Sequence, residues 1–272
     1  MEVEFVKISP TQNMTILITS LVDRRLHRDV AQKIMAYDNV YAEQVGFVES
    51  PENPKALARL QMAGGEFCGN ASLSLCAYLI WKGDVKCEYE EQRTVPIEVS
   101  GSSDVLYCDV KKRDGYFLAK INMPVPEAVG SFDSEIAGSL PVVYMPGITH
   151  VIVDTNETGV SKDLLVETFV SNSDPFTKED AFGIMFYDRK TCSIEPFVYV
   201  KTMGTKVWER GCGSGSAALG AYLAHLAGES VKVDVAQPGG IITVEAGMAD
   251  GKFTNISVEG KIVIAAQGKA YI

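Results

Sequence analysis

Cys68 and Cys212 each stand directly before a stretch rich in Ala, Leu and small residues, and each is followed by glycine and then by Asn or Ser. That placement predicts a thiol at or beside a helix N-terminus, where unpaired backbone N–H groups lower a thiol pKa and favour the thiolate. The same N–H groups make a site for a carboxylate. A thiol and an anion site together, occurring twice, suit proton transfer at a carbon next to a carboxylate. One thiolate removes the Cα proton of an amino acid from one face, and a thiol delivers a proton to the other. Helix N-termini hold the carboxylate while it gathers charge. Inversion of an amino-acid stereocentre is that chemistry, and running it backwards exchanges the roles of the two sulfurs. The glycines of Gly211-Cys-Gly-Ser-Gly215 fit neither G-x-G-x-x-G nor the P-loop spacing and lack the P-loop lysine, so a carboxylate is favoured over a nucleotide phosphate.

The elements that must position these thiols are duplicated. Cys68–Leu79 and Cys212–Leu223 agree at seven of twelve positions, at an offset of 144 residues in a chain of 272. Asn13–Thr19 resembles Thr149–Thr155 more weakly, and Ile97-Glu-Val99 falls on Ile242-Thr-Val244. Two homologous α/β halves are expected, with a boundary near residues 118–130, where Met123-Pro-Val-Pro126 interrupts the pattern. Short β-rich runs recur in both halves, at Thr15–Thr19, Gln44–Glu49 and Val95–Val99, then at Val151–Asp154, Phe182–Tyr187, Pro196–Val200 and Ile241–Val244. The best helical pattern in each half begins at its cysteine. Ser72, Leu75, Cys76 and Leu79 form one helical face, and Ser216, Leu219, Gly220 and Leu223 repeat it; small residues all round predict burial.

A chain that is 46% hydrophobic and 22% charged can build a core without staples, and a net charge of −10 argues against nucleic acid or an anionic membrane as partner. Met1–Ile8 alternates polar and apolar residues as a strand does, without the features of a signal peptide, and the apolar runs are too short to span a bilayer. A cytoplasmic protein is expected. Of six cysteines, none forms a C-x-x-C pair, so neither a disulfide framework nor a metal knuckle is expected. Cys76, Cys87, Cys108 and Cys192 read as small hydrophobes of a reduced core.

Phe67-Cys-Gly-Asn-Ala71 and Trp208-Glu-Arg-Gly-Cys-Gly-Ser-Gly215 resemble the two cysteine motifs of the diaminopimelate epimerase superfamily, which includes the proline racemases. Asn13–Leu17, Glu43–Glu49, Gln237–Gly240 and Gly268–Ile272 extend the likeness along almost the whole chain. Within the superfamily the chain is most similar to the enzymes that supply D-histidine for staphylopine-type metallophores. The resemblance implies an α/β (α+β) fold of two pseudo-symmetric domains, each a curved sheet or barrel wrapped around a central helix. It puts residues 1–118 in one domain, joined by returning residues 263–272, and residues 119–262 in the other. It implies a homodimer, a site between the domains, a small free amino acid as substrate, and neither pyridoxal phosphate nor metal. Cys68 and Cys212 would be the acid–base pair. Asn13, Gly69 and Asn70 would line the substrate, Gly213 and Ser214 would offer N–H groups to its carboxylate, and Glu43 and Glu209 would bind its ammonium or an imidazole.

Departures from diaminopimelate epimerase bear on the substrate. Arg59 stands where that enzyme has an Asn nine residues before the first cysteine, and Ile148 replaces an Asn two residues before His150. No Asn occurs near Gly183-Ile-Met185, and Glu209-Arg210 lies directly before Gly211-Cys212. His150 itself reads as a satisfied core histidine. These departures favour a substrate with a different side chain, and the resemblance to the D-histidine-supplying enzymes makes racemisation of free histidine the leading expectation. Epimerisation of diaminopimelate, racemisation of another amino acid, and a non-catalytic amino-acid-binding protein of the same fold are the alternatives.

Overall fold

The computed structural model describes residues 1–202 and 204–272. They form two compact units, the first made of Met1–Asn122 and Glu259–Ile272, the second of Met123–Val258.

In the first unit β1 (Glu2–Pro10) and β2 (Thr15–Ile18) lead through a single 3-10 turn into α1 (His27–Met35). Then follow β3 (Gln44–Glu49), β4 (Ala58–Met62), α2 (Gly69–Lys82), β5 (Gln92–Val99), β6 (Leu106–Lys112) and β7 (Phe117–Met123). Neighbouring strands from β1 to β6 pair antiparallel, parallel, antiparallel, parallel, antiparallel. A parallel pair cannot be closed by a tight turn and needs a crossover. The crossovers are α1 between β2 and β3, and α2 between β4 and β5.

The second unit begins with β8 (Ala128–Ser134), β9 (Gly138–Met145), β10 (Ile148–Asp154), α3 (Lys162–Ser171), β11 (Ala181–Asp188) and β12 (Ser193–Val200). It continues with β13 (Thr205–Trp208), α4 (Gly213–Ala227), β14 (Val231–Gln237) and β15 (Gly240–Ala249). From β9 through β10, β11, β12 and β14 to β15 the pairing alternates as in the first unit, antiparallel first and last. Here α3 and α4 are the crossovers, and β13 is an extra strand on β12. The last strand, β16 (Lys252–Tyr271), supplies the first unit with residues that pair antiparallel with β1.

Alternation of side chains along each strand separates two faces. On one, α1 lays Val30, Ala31 and Ile34 over Ile16, Ile18, Val45 and Phe47. In the second unit α3 lays Leu165 and Phe169 over Val151, Val153, Phe182 and Ile184. The opposite faces wrap α2, which touches β1 to β6, and α4, which touches β8 to β11, β14 and β15. Both helices are Ala- and Leu-rich, and both stop where a glycine turns left-handed, Gly83 at φ 93° and Gly228 at φ 71°. The fold class is as expected: strands wrapped around a central helix, twice.

Two details differ from expectation. Strand pairing makes β14 the counterpart of β5, so Ile97–Val99 does not correspond to Ile242–Val244, which lie one strand later in β15. The cause is the connection after the helix, which takes residues 84–91 in the first unit and only 229–230 in the second. Cys76, Cys87 and Cys108 are buried as expected. Cys192 is not: it sits half-buried in the β11–β12 turn at φ 49°, where the chain reverses too tightly for a core position. Among the described residues no helix is long and apolar enough to cross a membrane.

Candidate active site

In the first unit the segment that enters α2 is held from the far end of β5. Ser100 Oγ donates to the Glu66 carbonyl (2.7 Å) and accepts from the Met62 N–H (2.9 Å). Gly101, at φ 74°, passes so close to the Phe67 backbone that a Cβ has no room. Cys68 is the N-cap of α2, in extended conformation at φ −136°, ψ 110°. Its sulfur takes the place usually filled by a Ser or Asp oxygen, accepting the Ala71 N–H at 3.4 Å. The thiol donates to Gln44 Oε1 at 2.6 Å. Beside it runs a chain of amides: Asn70 Nδ2 donates to Asn13 Oδ1 (3.0 Å), and Asn13 Nδ2 donates to Glu43 Oε2 (2.6 Å). Asn13 is delivered by a tight turn in which Thr11 and Gln12 both have positive φ and the Asn13 N–H reaches back to the Pro10 carbonyl. The first unit thus gathers Cys68, Gly69, Asn70, Asn13 and Glu43, with Gln44 in contact.

The second unit repeats the cap. Cys212, extended at φ −108°, ψ 106°, is the N-cap of α4, and its sulfur accepts the Gly215 N–H at 3.3 Å. Its carbonyl accepts from Ser216 Oγ at 2.6 Å, as the Cys68 carbonyl accepts from Ser72 Oγ at 2.7 Å. Gly213 and Ser214 form the first turn, with Ser214 Oγ 3.6 Å from the Cys212 sulfur. Cys212 is only 2% exposed. Burial, then the charge and hydrogen bond of Glu209, push its thiol well above the usual range, against a smaller pull from Ser214 and the Gly215 N–H. The expected lowering by the helix terminus is therefore reversed at Cys212, because desolvation of a buried thiolate outweighs a few oriented N–H groups. Glu209 stands against the thiol.

The family model described as the histidine racemase CntK N-terminal domain matches residues 2–271. The chain belongs to the histidine racemase family. A histidine racemase of Fusobacterium nucleatum subsp. nucleatum (strain ATCC 23726 / VPI 4351) is 36% identical, over 99% of this chain and 97% of that one. A histidine racemase of Staphylococcus aureus (strain Mu50) is 30% identical, over 99% and 98%. Among solved structures, a hydroxyproline epimerase from Agrobacterium vitis, with bound trans-4-hydroxy-L-proline, superposes with a TM-score of 0.69 at 13% identity, over 98% of this chain and 90% of that one. That likeness is one of fold.

Within this family's fold, four positions have a setting that their residue type alone does not announce: Gln44, Gln237, His150 and Arg59. Gln44 and Gln237 lie within the family-like stretches Glu43–Glu49 and Gln237–Gly240, where an amide side chain carries no pattern of its own; each holds a cysteine, Gln44 by the thiol and Gln237 by the backbone N–H of Cys212 (2.7 Å). His150 is fully buried, beside Gly183 in the β10–β11 pair, but it is not satisfied. Neither ring nitrogen has a hydrogen-bond partner among the described residues, and burial draws its pKa down to about 3. Arg59 pairs across strands with Glu49 and Glu98, to which its guanidinium lies 3.7 and 3.5 Å away, on the sheet face that α1 covers rather than the one that holds α2. An arginine engaged there does not select a side chain at the Cys68 site.

Proposed function

We propose that this chain racemises free histidine, with Cys68 and Cys212 as an acid–base pair acting on opposite faces of the α-carbon. The observation that carries the reading is the repeated N-cap: a thiol at the start of a buried helix, with the same N–H and Ser contacts, in both units. Family membership names the substrate.

In the proposed step a thiolate takes the Cα proton and becomes a thiol, the electron pair passing into the carboxylate as an enolate-like carbanion. The thiol on the other face then gives its proton to carbon and becomes the thiolate. No electron is gained or lost overall, and the two sulfurs have exchanged protonation states. The raised Cys212 pKa suits the proton donor. Glu209 beside it can accept the proton when Cys212 must act as base, and an arriving ammonium favours the thiolate further. The N–H groups of Gly69, Asn70, Gly213 and Ser214 suit the substrate carboxylate, and the Asn70–Asn13–Glu43 chain suits its ammonium or imidazole. A cytoplasmic homodimer that feeds D-histidine to opine-type metallophore synthesis belongs to the same reading and rests on the resemblance.

Purified protein incubated with L-histidine in heavy water should incorporate deuterium at Cα and lose optical rotation. Cys68→Ser and Cys212→Ser should each lower turnover by about 1,000-fold or more while melting near wild type, general acid–base groups contributing about 10² to 10⁴. Unchanged turnover in either variant removes the two-cysteine mechanism. Exchange with meso-diaminopimelate but not histidine transfers the activity to that substrate, and exchange with no amino acid leaves a binding protein.

A further inference from the structure

Cys68 and Cys212 are held in different ways. At Cys68 a glutamine grips the sulfur. At Cys212 a glutamine grips the main chain: Gln237 Oε1 accepts the Cys212 N–H at 2.7 Å, and Gln237 Nε2 donates to Ser216 Oγ at 2.8 Å. Ser216 Oγ in turn donates to the Cys212 carbonyl at 2.6 Å. The ring closes through three groups and brackets both backbone polar atoms of one residue. Around it, the Gly239 N–H donates to the Arg210 carbonyl (2.6 Å) and Arg210 Nη2 donates to the Pro238 carbonyl (3.0 Å).

The N–H of an N-cap residue lies outside the helical hydrogen-bond ladder, so the helix itself does not fix it. In the first unit the corresponding loop, at the end of β5, binds the Glu66 carbonyl through Ser100. In the second unit the loop reaches the cysteine itself, through Gln237. The Cys212 sulfur depends on the cap geometry for the Gly215 N–H that stabilises its thiolate, in a pocket where burial and Glu209 oppose that form. A small rotation of the Cys212 backbone would both lose that N–H and re-aim the sulfur.

We infer that Gln237 is a positioning residue for Cys212, acting through Ser216 to set where the sulfur points and how readily it ionises. The inference rests on the proposed acid–base role of Cys212. Gln237→Met keeps the length of the side chain and removes both hydrogen bonds. With L-histidine as substrate it should lower kcat by about 10- to 100-fold, the cost of misplacing a catalytic group by about 1 Å. KM should stay within about twofold, and the alkaline limb of thiolate formation in the kcat–pH profile should move to higher pH. Ser216→Ala should give the same pattern, and the double variant should be no worse than the more impaired single, because both break one ring. A Gln237→Met enzyme with wild-type kcat and pH profile overturns the inference, as does a loss of turnover explained wholly by a lower melting temperature or a raised KM. Strict additivity of the two substitutions overturns it also. Cys212→Ser assayed alongside separates the two ideas: an active Cys212→Ser enzyme refutes the two-cysteine mechanism, whereas an inert one beside an unimpaired Gln237→Met enzyme refutes only the role of Gln237.

Discussion

The α2 and α4 helices begin alike and pack differently. Both have an extended cysteine as N-cap, a sulfur accepting from the third helical N–H, and a serine one residue later bonded back to the cysteine carbonyl. Yet the third helical residue is Ala71 in one and Gly215 in the other. A Cβ on Gly215 would overlap Met185 Sδ and come within 3.1 Å of the Cys212 sulfur. Five residues further on, the thiol of Cys76 meets Cys108 of β6, whereas Gly220 lies against Val244 of β15 with no space for a Cβ. A medium pair in one unit is a small-and-large pair in the other. Backbone hydrogen bonds fix the cap and leave no latitude, while a core contact needs only its summed volume, and that can be divided in several ways.

The largest expected effect concerns buried histidine, which the units treat unequally. His27, in the first unit, has the Val22 carbonyl at 3.1 Å and stacks on Phe47. His150 has no hydrogen-bond partner among the described residues, and burial draws its pKa down to about 3. A folded-state pKa below the ordinary value of 6.5 means that the unfolded chain binds the extra proton first. The stability that neutral His150 contributes is therefore present above pH 6.5 and is lost as the pH falls toward 3, at about 1.4 kcal/mol per pH unit. Urea unfolding at pH 6.5 and 4.5 should show a decline in wild type that exceeds that of His150→Leu by about 2–3 kcal/mol. Equal declines in the two proteins would mean that His150 is protonated in the fold.

A smaller effect is expected from exchanging the third helical residue between the units. Gly215→Ala should destabilise by about 1–3 kcal/mol, as overpacking does, and lower turnover because the displaced Met185 and Cys212 sulfur share the space. The reverse change, Ala71→Gly, should cost only the helix propensity of about 1 kcal/mol. Chemical denaturation of both variants tests the asymmetry; equal costs would show that the two caps are packed alike after all.

The smallest net change should come from moving the cysteine pair. Gly220→Cys alone should cost about 1–3 kcal/mol, but Gly220→Cys with Val244→Cys, under reducing conditions, should return to within about 1 kcal/mol of wild type. A double variant as unstable as the single would show that the contact needs specific shapes and not a shared volume.

Much of this organisation was legible in the residues. The duplicated Cys-Gly stretches pointed to both central helices and to their N-terminal cysteines, because both runs are free of proline and keep an apolar face up to Gly83 and Gly228. The strand runs at Gln44–Glu49 and Phe182–Tyr187 lie within β3 and β11. α1 and α3 left no comparable trace. Each is about three turns long: α1 does carry a clear apolar period in Val30, Ala31 and Ile34, but over only nine residues, whereas α3 buries only Leu165 and Phe169. Ile97–Val99 and Ile242–Val244 share nearly the offset of the helices yet lie in non-equivalent strands, because the connections after α2 and α4 differ in length.

By itself, the sequence determined the α/β class, the twofold repeat and the family, since these depend on hydrophobic period and on motifs that are local in the chain. Tertiary structure alone decided which thiol is deeply desolvated, that Gln44 reaches one sulfur while Gln237 holds the other cysteine's main chain, that His150 has no hydrogen-bond partner among the described residues, and that Arg59 meets Glu49 and Glu98 on the face that α1 covers. All four depend on residues far apart in sequence meeting at hydrogen-bond distance or excluding water from one another. A linear pattern carries no record of either.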